Sequence, residues 1–193
     1  FSIQLTTKAM RTFADDLREQ VKKCGRDPHE VKILFGIQAI VGDTEKEAQE
    51  KAEFIKENVP LEAGLTRLSA TIGYDFSQVD PDQPMEYIKT DGSQGIFEMF
   101  TTMSDKRITV RDAAKSFGVS IGMPQVIGTP SQVAAKLQEI MEEGGGDGYL
   151  ITPTYTPDSW NEFVDGVVPE LQTRGIFRED YEGNTYREHL RQE

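Results

Sequence analysis

Polar side chains follow the three stretches of this sequence that have the composition of β-strands. Parallel α/β folds place their ligand sites at the carboxyl ends of strands, so hydroxyl, amide and phenol groups there are candidates for binding. In chain order these residues are Ser2, Gln4, Gln38, Thr152, Thr154 and Tyr155, with Gly36 beside Gln38. From this position alone, Gln38, Thr152 and Tyr155 are predicted to bind substrate.

Local motifs for catalysis are absent from the sequence. There is no G-x-x-x-x-G-K-[ST] or G-x-G-x-x-G pattern, and the glycine run 144–146 lacks the Lys and Ser/Thr of a phosphate loop. His29 and His189 lie far apart, and neither has metal-ligand spacing to a second His or Cys. No G-x-S-x-G elbow occurs. The sequence therefore predicts no metal site and leaves the catalytic residues unknown.

Charge and cysteine content narrow the class of protein. The formal net charge of −12 over 193 residues argues against nucleic-acid partners and anionic membrane surfaces, because phosphates would not be neutralised. No apolar run approaches the ~18 residues of a membrane span. The single cysteine, Cys24, excludes an internal disulfide, which suits a reducing cytoplasm. The length of residues 1–193 allows a single domain, and we expect a cytoplasmic protein.

The first residues have the character of an interrupted strand. The chain begins Phe1-Ser2-Ile3, without an initiator Met and within what reads as the end of an apolar strand. Natural termini are usually polar and frayed. This start predicts that the sequence is a piece of a longer protein.

Strands and helices alternate along the chain. Strands are predicted over 1–3, 31–41 and 148–152, with helices from Thr6 or Thr7 to Gly25 and over 45–58. A further helix is predicted from Pro130, capped by Thr129, to the glycine run. Strands joined by helices predict a parallel α/β sheet. Three strands form either a small open sheet or the last strands of a larger one.

The last predicted helix follows Thr156-Pro157, with Thr156 as its capping residue. Its buried face is predicted to combine residues spaced three and four positions apart. These residues are Trp160, Phe163, Val164 and Val167.

Residues 60–125 lose this alternation and are predicted to form a largely helical insertion. A helical pattern runs to Gly73, a long irregular connection follows, and Thr109 caps a helix closed by Gly118. The loop 91–94 would join the site if the insertion folds over the strand ends. The tail, about 176–193, is polar with aromatic anchors at Phe177, Tyr181 and Tyr186, and is expected to wrap over the surface or over a neighbouring subunit.

An ordered set of motifs spans nearly the whole chain. In chain order they are Val41-Gly42-Asp43-Thr44 with Ala48, Asp91-Gly92-Ser93-Gln94, Val126-Ile127-Gly128-Thr129-Pro130 with Gln132-Val133-Ala134, Asp147-Gly148-Tyr149, Phe163-Val164-Asp165 with Val167-Val168-Pro169-Glu170-Leu171, and Tyr181-Glu182-Gly183 with Arg187-Glu188-His189-Leu190. The set resembles the C-terminal part of luciferase-like flavin-dependent monooxygenases, in the group of nitrilotriacetate monooxygenase component A, dibenzothiophene-sulfone monooxygenase and long-chain alkane monooxygenase.

The resemblance implies the C-terminal part of a (β/α)8 TIM barrel with an insertion. Members use reduced FMN supplied by a separate NAD(P)H-dependent flavin reductase, and they oxidise a small organic substrate with O2. The resemblance places Ser2 and Gln4 beside the flavin and assigns the family loop with Ser93 and Gln94 to substrate binding. That loop usually starts with Asn, so Asp91 is a departure. Most flavin contacts would lie outside this chain, which alone is expected to be inactive.

Two alternatives remain open at this stage. The same barrel can serve a flavin or deazaflavin reductase, which cofactor selectivity would distinguish. The second alternative is a non-enzymatic half-barrel binding module, in which the 193 residues would fold cooperatively on their own. For the enzyme we expect a homo-oligomer that binds a flavin reductase, O2 and a small substrate.

Overall fold

The structure is a computed structural model, and it describes residues 1–101 and 107–191. The predicted insertion includes residues 102–106 and the predicted tail includes 192–193, so these parts of the two predictions lie outside the described residues.

A parallel sheet forms the centre of the described chain. Its strands are β1 (Leu34–Val41), β2 (Gln125–Gly128) and β3 (Gly148–Thr152), in the order β2-β1-β3. Ser2 makes a single parallel bridge to Phe35. Its amide donates to the Leu34 carbonyl at 3.0 Å, and its carbonyl accepts from the Gly36 amide at 3.0 Å. β1 therefore has neighbours on both edges, as its apolar sequence predicts for an inner strand.

Helices pack against one face of the sheet and also form the insertion. They are α1 (Thr7–Lys23), α2 (Glu45–Asn58), α3 (Leu61–Ile72), α4 (Gln94–Thr101), α5 (Val110–Ser120), α6 (Pro130–Gly144), α7 (Asp158–Asn161), α8 (Val168–Thr173) and α9 (Tyr186–Arg191). Short 3₁₀ turns lie at Pro28–Glu30 and Phe76–Gln78. α6 begins at the predicted cap, where Thr129 and Gln132 form a capping box, and α1 begins after Thr6.

One face of the sheet packs against α1, α6 and the continuous helical segment 158–173, which we call the last long helix. Alternate residues of β1 point to this face because side chains alternate along a strand. The buried residues, here called the sheet cluster, are Met10, Ala14, Ile33, Phe35, Ile37, Ala39, Val41, Val126, Val133, Ala134, Leu137, Ile140, Phe163, Val167 and Leu171. This cluster supplies the hydrophobic stabilisation of the sheet and fixes which face is turned away from the helices.

The insertion has a core of its own. Its buried residues, the insertion cluster, are Leu68, Ile72, Phe76, Met85, Phe97, Met99, Phe100, Val110, Ala113, Ala114 and Phe117. α3 and α5 approach closely at Gly64, where an added Cβ would lie 2.2 Å from the Ala114 carbonyl oxygen. A largely helical insertion is what the sequence predicted for this region.

One predicted boundary in this part is wrong, and one strand was not predicted. α5 continues through Gly118 to Ser120, and Ile121, which has φ 57°, is its C-cap. Gly118 instead allows α5 to pack closely against Val59, because an added Cβ would lie 2.5 Å from the Val59 side chain. The strand β2 was missed, because four residues between Pro124 and the α6 cap carry too little pattern, and their pairing with β1 defines the strand.

The last long helix differs from its prediction. α7 starts without a side-chain cap, a π-helical segment over Glu162–Val167 follows, and α8 continues it. Phe163 and Val167 are buried as predicted, but Trp160 is 40% and Val164 is 52% exposed. A π segment holds more residues per turn than an α-helix, so residues that a 3.6-residue period would align rotate apart.

The tail forms α9 after a turn, and its predicted aromatic anchors are exposed. Phe177, Tyr181 and Tyr186 all lie among the exposed large hydrophobic side chains. Within the described residues, no helix combines the length and apolar character needed to cross a membrane.

Candidate functional site

The face of the sheet turned away from the helices holds the candidate site, and we call it the inner face. Pairing in register places Gly36 beside Leu150, and Gln38 beside Thr152 and Gln125. Partners in parallel strands point to the same side of a sheet. Leu150 is 47% exposed here, whereas its strand neighbours Tyr149 and Ile151 pack against the sheet cluster.

Gln38 is buried and hydrogen-bonded within the protein. Its Nε2 donates to the Val119 carbonyl at 3.3 Å, and its Oε1 accepts from Gln125 Nε2 at 2.6 Å. The backbone amide of Gln38 donates to the Pro124 carbonyl at 3.0 Å. Gln38 therefore ties the chain that returns from the insertion to the sheet.

Met123 covers part of the inner face. A Cβ added at Gly36 would lie 2.9 Å from Met123 Sδ and 3.0 Å from the Phe1 ring, so only a glycine leaves room for these side chains. The Thr152 hydroxyl lies 3.4 Å from the same sulfur. Ser120 fixes this turn, because its hydroxyl donates to the Met123 carbonyl at 2.8 Å. The result is an apolar wall with one hydroxyl at its edge.

Ser2 and Gln4 lie beside each other but not on the inner face. Ser2 pairs with Phe35, so it shares the helix-packed face. Gln4 Nε2 donates to the Ser2 hydroxyl at 3.0 Å, and Gln4 Oε1 is buried without a hydrogen-bond partner. The structure thus brings Gln38 and Thr152 together and separates them from these two residues, whose role at a cofactor stays a prediction.

The loop with Ser93 and Gln94 closes on helix α3 rather than on the sheet. The Ser93 amide donates to the Thr71 carbonyl at 3.0 Å. Gln94 Nε2 donates to the Thr90 carbonyl at 2.5 Å, and its Oε1 accepts from the Tyr87 hydroxyl at 2.6 Å. No hydrogen bond from these two residues to the sheet occurs in the described part of the chain. Substrate binding by them stays a prediction.

Tyr155 belongs to a hydrogen-bonded group at the carboxyl ends of β1 and β3, which we call the Lys51 cluster. It consists of Glu47, Lys51, Tyr155 and Glu162. The Tyr155 hydroxyl donates to the Glu162 carboxylate, with both oxygens at 3.0 Å, and Lys51 Nζ lies 2.8 Å from Glu162 and 2.9 Å from Glu47. Burial and the Glu162 carboxylate raise the pKa of Tyr155. Burial opposes the charge on Lys51, but the hydrogen bonds to Glu162 and Glu47 outweigh it and raise the pKa of Lys51.

Sequence reasoning missed four residues of this region: Lys51, Met123, Leu150 and Glu162. Lys51 and Glu162 lie 111 positions apart, so no local pattern in the sequence indicates that they meet. Strand alternation could have indicated Leu150, because it occupies the same parity as Thr152 in β3. Nothing in the local pattern around Met123 indicates its contact with Gly36.

The chain matches the family model described as luciferase-like monooxygenase over residues 1–148. It is 37% identical over 194 residues to nitrilotriacetate monooxygenase component A of Aminobacter aminovorans, covering 98% of this chain and 43% of that protein. It is 34% identical over 196 residues to dibenzothiophene-sulfone monooxygenase of Rhodococcus erythropolis, with the same two coverages.

Among solved structures, one similar chain is riboflavin lyase, determined with modified FMN and its substrate riboflavin. The two superpose with a TM-score of 0.85 at 26% sequence identity, and the match covers 97% of this chain and 41% of that one. The chain thus spans about two fifths of the length of the proteins it matches. The resemblance found in the motifs is confirmed, and so is the fold class, the C-terminal part of a TIM barrel with a largely helical insertion.

Proposed function

Because the chain belongs to the luciferase-like monooxygenase family, we propose that it forms part of a flavin-dependent monooxygenase. The whole enzyme oxidises a small organic substrate with O2 and reduced FMN, and a separate NAD(P)H-dependent flavin reductase supplies the FMN. We place it in the cytoplasm as a homo-oligomer. The similarity to monooxygenases along almost the full chain carries this proposal.

The inner face fits the ring system of FMN better than its phosphate. Leu150 offers exposed apolar surface, Met123 and Phe1 extend it, and Thr152 and Gln38 add hydrogen-bonding groups. Flat aromatic ligands bind in apolar sites with a few placed polar groups. None of these five side chains carries a positive charge, so the phosphate is assigned to residues beyond this face.

When bound, reduced FMN supplies the oxygen chemistry, as cofactors do in such enzymes. The residues of this chain bind, orient and exclude water. Leu150 and Met123 form the apolar wall that keeps water from the ring, and the Thr152 hydroxyl offers one hydrogen bond at its edge. Gln38 holds Met123 in place through the returning chain.

The predicted site residues take roles under this proposal. Ser2 and Gln4 remain proposed cofactor residues. Because they lie on the helix-packed side of the sheet, they would bind a part of the cofactor other than the ring on the inner face, and the orphaned Gln4 Oε1 can accept a hydrogen bond there. Gln38 and Thr152 are proposed to border both the flavin ring and the substrate at the strand ends, and Tyr155 is a proposed substrate residue. Ser93 and Gln94 are proposed to contribute to substrate binding indirectly. Their own hydrogen bonds lie within the insertion, so they would fix the shape of the insertion near the substrate.

The test uses the full-length protein that contains this chain. Flavin fluorescence quenching measures the dissociation constants for FMN and for a deazaflavin, and oxygen uptake is followed with NADH, FMN and a flavin reductase. We expect FMN to bind more tightly than the deazaflavin. Tighter binding of the deazaflavin would instead favour a reductase, and no binding of either would favour a binding module.

A matched pair of variants locates the flavin on the inner face. Leu150→Asp places a charge on that face and is expected to weaken FMN binding about tenfold or more, because an ion beside the ring is desolvated. Val164→Asp changes an equally exposed apolar residue on the helix layer and is the control, with less than a twofold expected change. Equal effects from both variants would contradict the placement.

A further inference from the structure

The Lys51 cluster joins four separate parts of the chain at one end of the sheet. Lys51 Nζ donates to the Val41 carbonyl at 3.0 Å, at the last residue of β1, and it also binds Glu47 and Glu162. An ammonium group has three protons, so all of its donors are used. The side chains of Lys51 and Glu162 are 26% and 27% exposed, so these contacts are partly shielded from water.

The loop after β3, residues 153–157, is attached to β1 through this cluster. The Tyr155 hydroxyl donates to Glu162, which Lys51 connects to Val41. The Tyr155 amide donates to the Ser159 hydroxyl at 3.4 Å. The neighbouring Thr154 hydroxyl lies 3.5 Å from the Ala39 carbonyl, which marks a weak second contact with β1. The Tyr155 carbonyl accepts in turn from the Ser159 hydroxyl, and the Pro157 carbonyl accepts from the Trp160 amide at 3.0 Å.

Two further features point to a dedicated arrangement. Glu162 is the first residue of the π-helical segment, and π segments are often found at functional sites because they redirect side chains. The second oxygen of Glu47 accepts from the Asp43 amide at 3.0 Å, so the same cluster fixes the turn between β1 and α2. Ordinary surface pairs on α2, such as Lys46 with Glu50, connect only neighbouring turns of one helix.

We propose that Lys51 and Glu162 are positioning residues that hold the loop 153–157 against the carboxyl-terminal end of β1. They act through Tyr155, and they set where Thr152, Thr154 and Tyr155 lie around the strand ends. The consequence for ligand binding rests on the proposed function. The position of the loop does not, because its contacts are all within this chain.

Hydrogen exchange of the full-length protein, measured by mass spectrometry without flavin, tests the proposal. Pro153 and Pro157 have no amide hydrogen, so the readout is the amides of Thr154, Tyr155 and Thr156, of which that of Tyr155 is hydrogen-bonded to Ser159. Lys51→Met is expected to speed exchange of the Tyr155 amide about tenfold, because charge-assisted hydrogen bonds that hold the loop are lost. Glu162→Gln is expected to act in the same direction, and Lys51→Arg is expected to retain slow exchange. Lys46→Met is the matched control, since it removes an exposed lysine from the same helix.

Coupling between the two residues separates positioning from general stability. If both act through one connection, the Lys51→Met and Glu162→Gln double variant exchanges little faster in the loop than either single variant. Peptides covering α6 are expected to exchange as in the parent protein. Tyr155→Phe removes the hydroxyl that donates to Glu162 and retains the ring, and it is expected to speed loop exchange about threefold. This variant tests the proposal even if a charge variant does not fold.

The proposal would be overturned by loop exchange that changes no more in Lys51→Met than in Lys46→Met. It would also be overturned if exchange rose equally in the loop and α6, since Lys51 would then be a general stabilising residue. Failure of the proposed function appears elsewhere, as absent FMN binding, and leaves these exchange results unaffected.

Discussion

The sheet and the insertion bury their apolar residues in different ways. The insertion cluster closes on itself, with Phe97, Phe117 and Leu68 fully buried. In this chain, which spans about two fifths of its relatives' length, the sheet buries one face against helices and leaves Leu150 half exposed on the other. A closed core contributes stability, whereas an open apolar face beside hydroxyl and amide groups can take a ligand. We therefore propose that the insertion cluster stabilises the fold and that the inner face binds the ligand.

The largest expected effect comes from opening the insertion cluster. Phe117→Ala removes a fully buried ring and is expected to lower the free energy of unfolding by about 3–5 kcal/mol, from lost burial and the cavity left behind. Urea denaturation measures this change. Phe54→Ala, at a ring that is 67% exposed on α2, is the control and is expected to change it by about 0.5 kcal/mol or less. Similar losses in both variants would mean that the insertion has no closed core.

One substitution made on the two faces of the sheet sharpens the comparison. Leu137→Ala, at a buried α6 residue of the sheet cluster, is expected to cost about 2–5 kcal/mol of unfolding free energy. In the 193-residue chain, Leu150→Ala on the inner face is expected to cost about 1 kcal/mol or less, because half of that side chain is already exposed there. Thermal or urea unfolding of the two variants checks this. A larger cost at Leu150 would contradict an open inner face.

The amino-terminal end of the sheet is held by a polar contact with a structural role. Asp147 Oδ2 accepts from the Ile33 amide at 2.8 Å and lies 3.5 Å from Arg18, and both side chains are largely buried. Asp147→Asn retains an acceptor but leaves the Arg18 charge unpaired, with an expected cost of about 1–2 kcal/mol in urea unfolding. Glu50→Gln, in an exposed pair, is the control. A change in FMN affinity without a change in stability would contradict the structural role.

The smallest expected effect concerns alkaline pH. The Tyr149 hydroxyl donates to the Leu137 carbonyl at 2.5 Å, and burial raises the pKa of Tyr149 above its usual range. The folded state therefore favours the neutral phenol, and the resulting stability is present below about pH 10 and is lost as pH rises further. Unfolding free energies at several pH values should fall less steeply above pH ~10 in Tyr149→Phe. Tyr186→Phe, at an exposed residue, should keep the parent slope.

Local signals in the sequence predicted part of this structure well. β3 and the start of α6 match their predictions, because a capping box, a proline at the first helical turn and a glycine run are read from neighbouring residues. The prediction that Trp160 and Val164 are buried is wrong, because the π segment that turns them outward depends on tertiary packing. The hydrogen bonds of Gln38 could not be predicted, because Val119 and Gln125 lie 81 and 87 positions away.

Hydrogen exchange of the full-length protein with and without saturating FMN tests the central assignment most directly. We expect FMN to slow exchange in peptides that cover 150–157, beside the inner face, and to leave α3 and α5 unchanged. Slower exchange confined to α3 and α5 would contradict the account, because the ligand would then act on the insertion cluster rather than on the open face of the sheet.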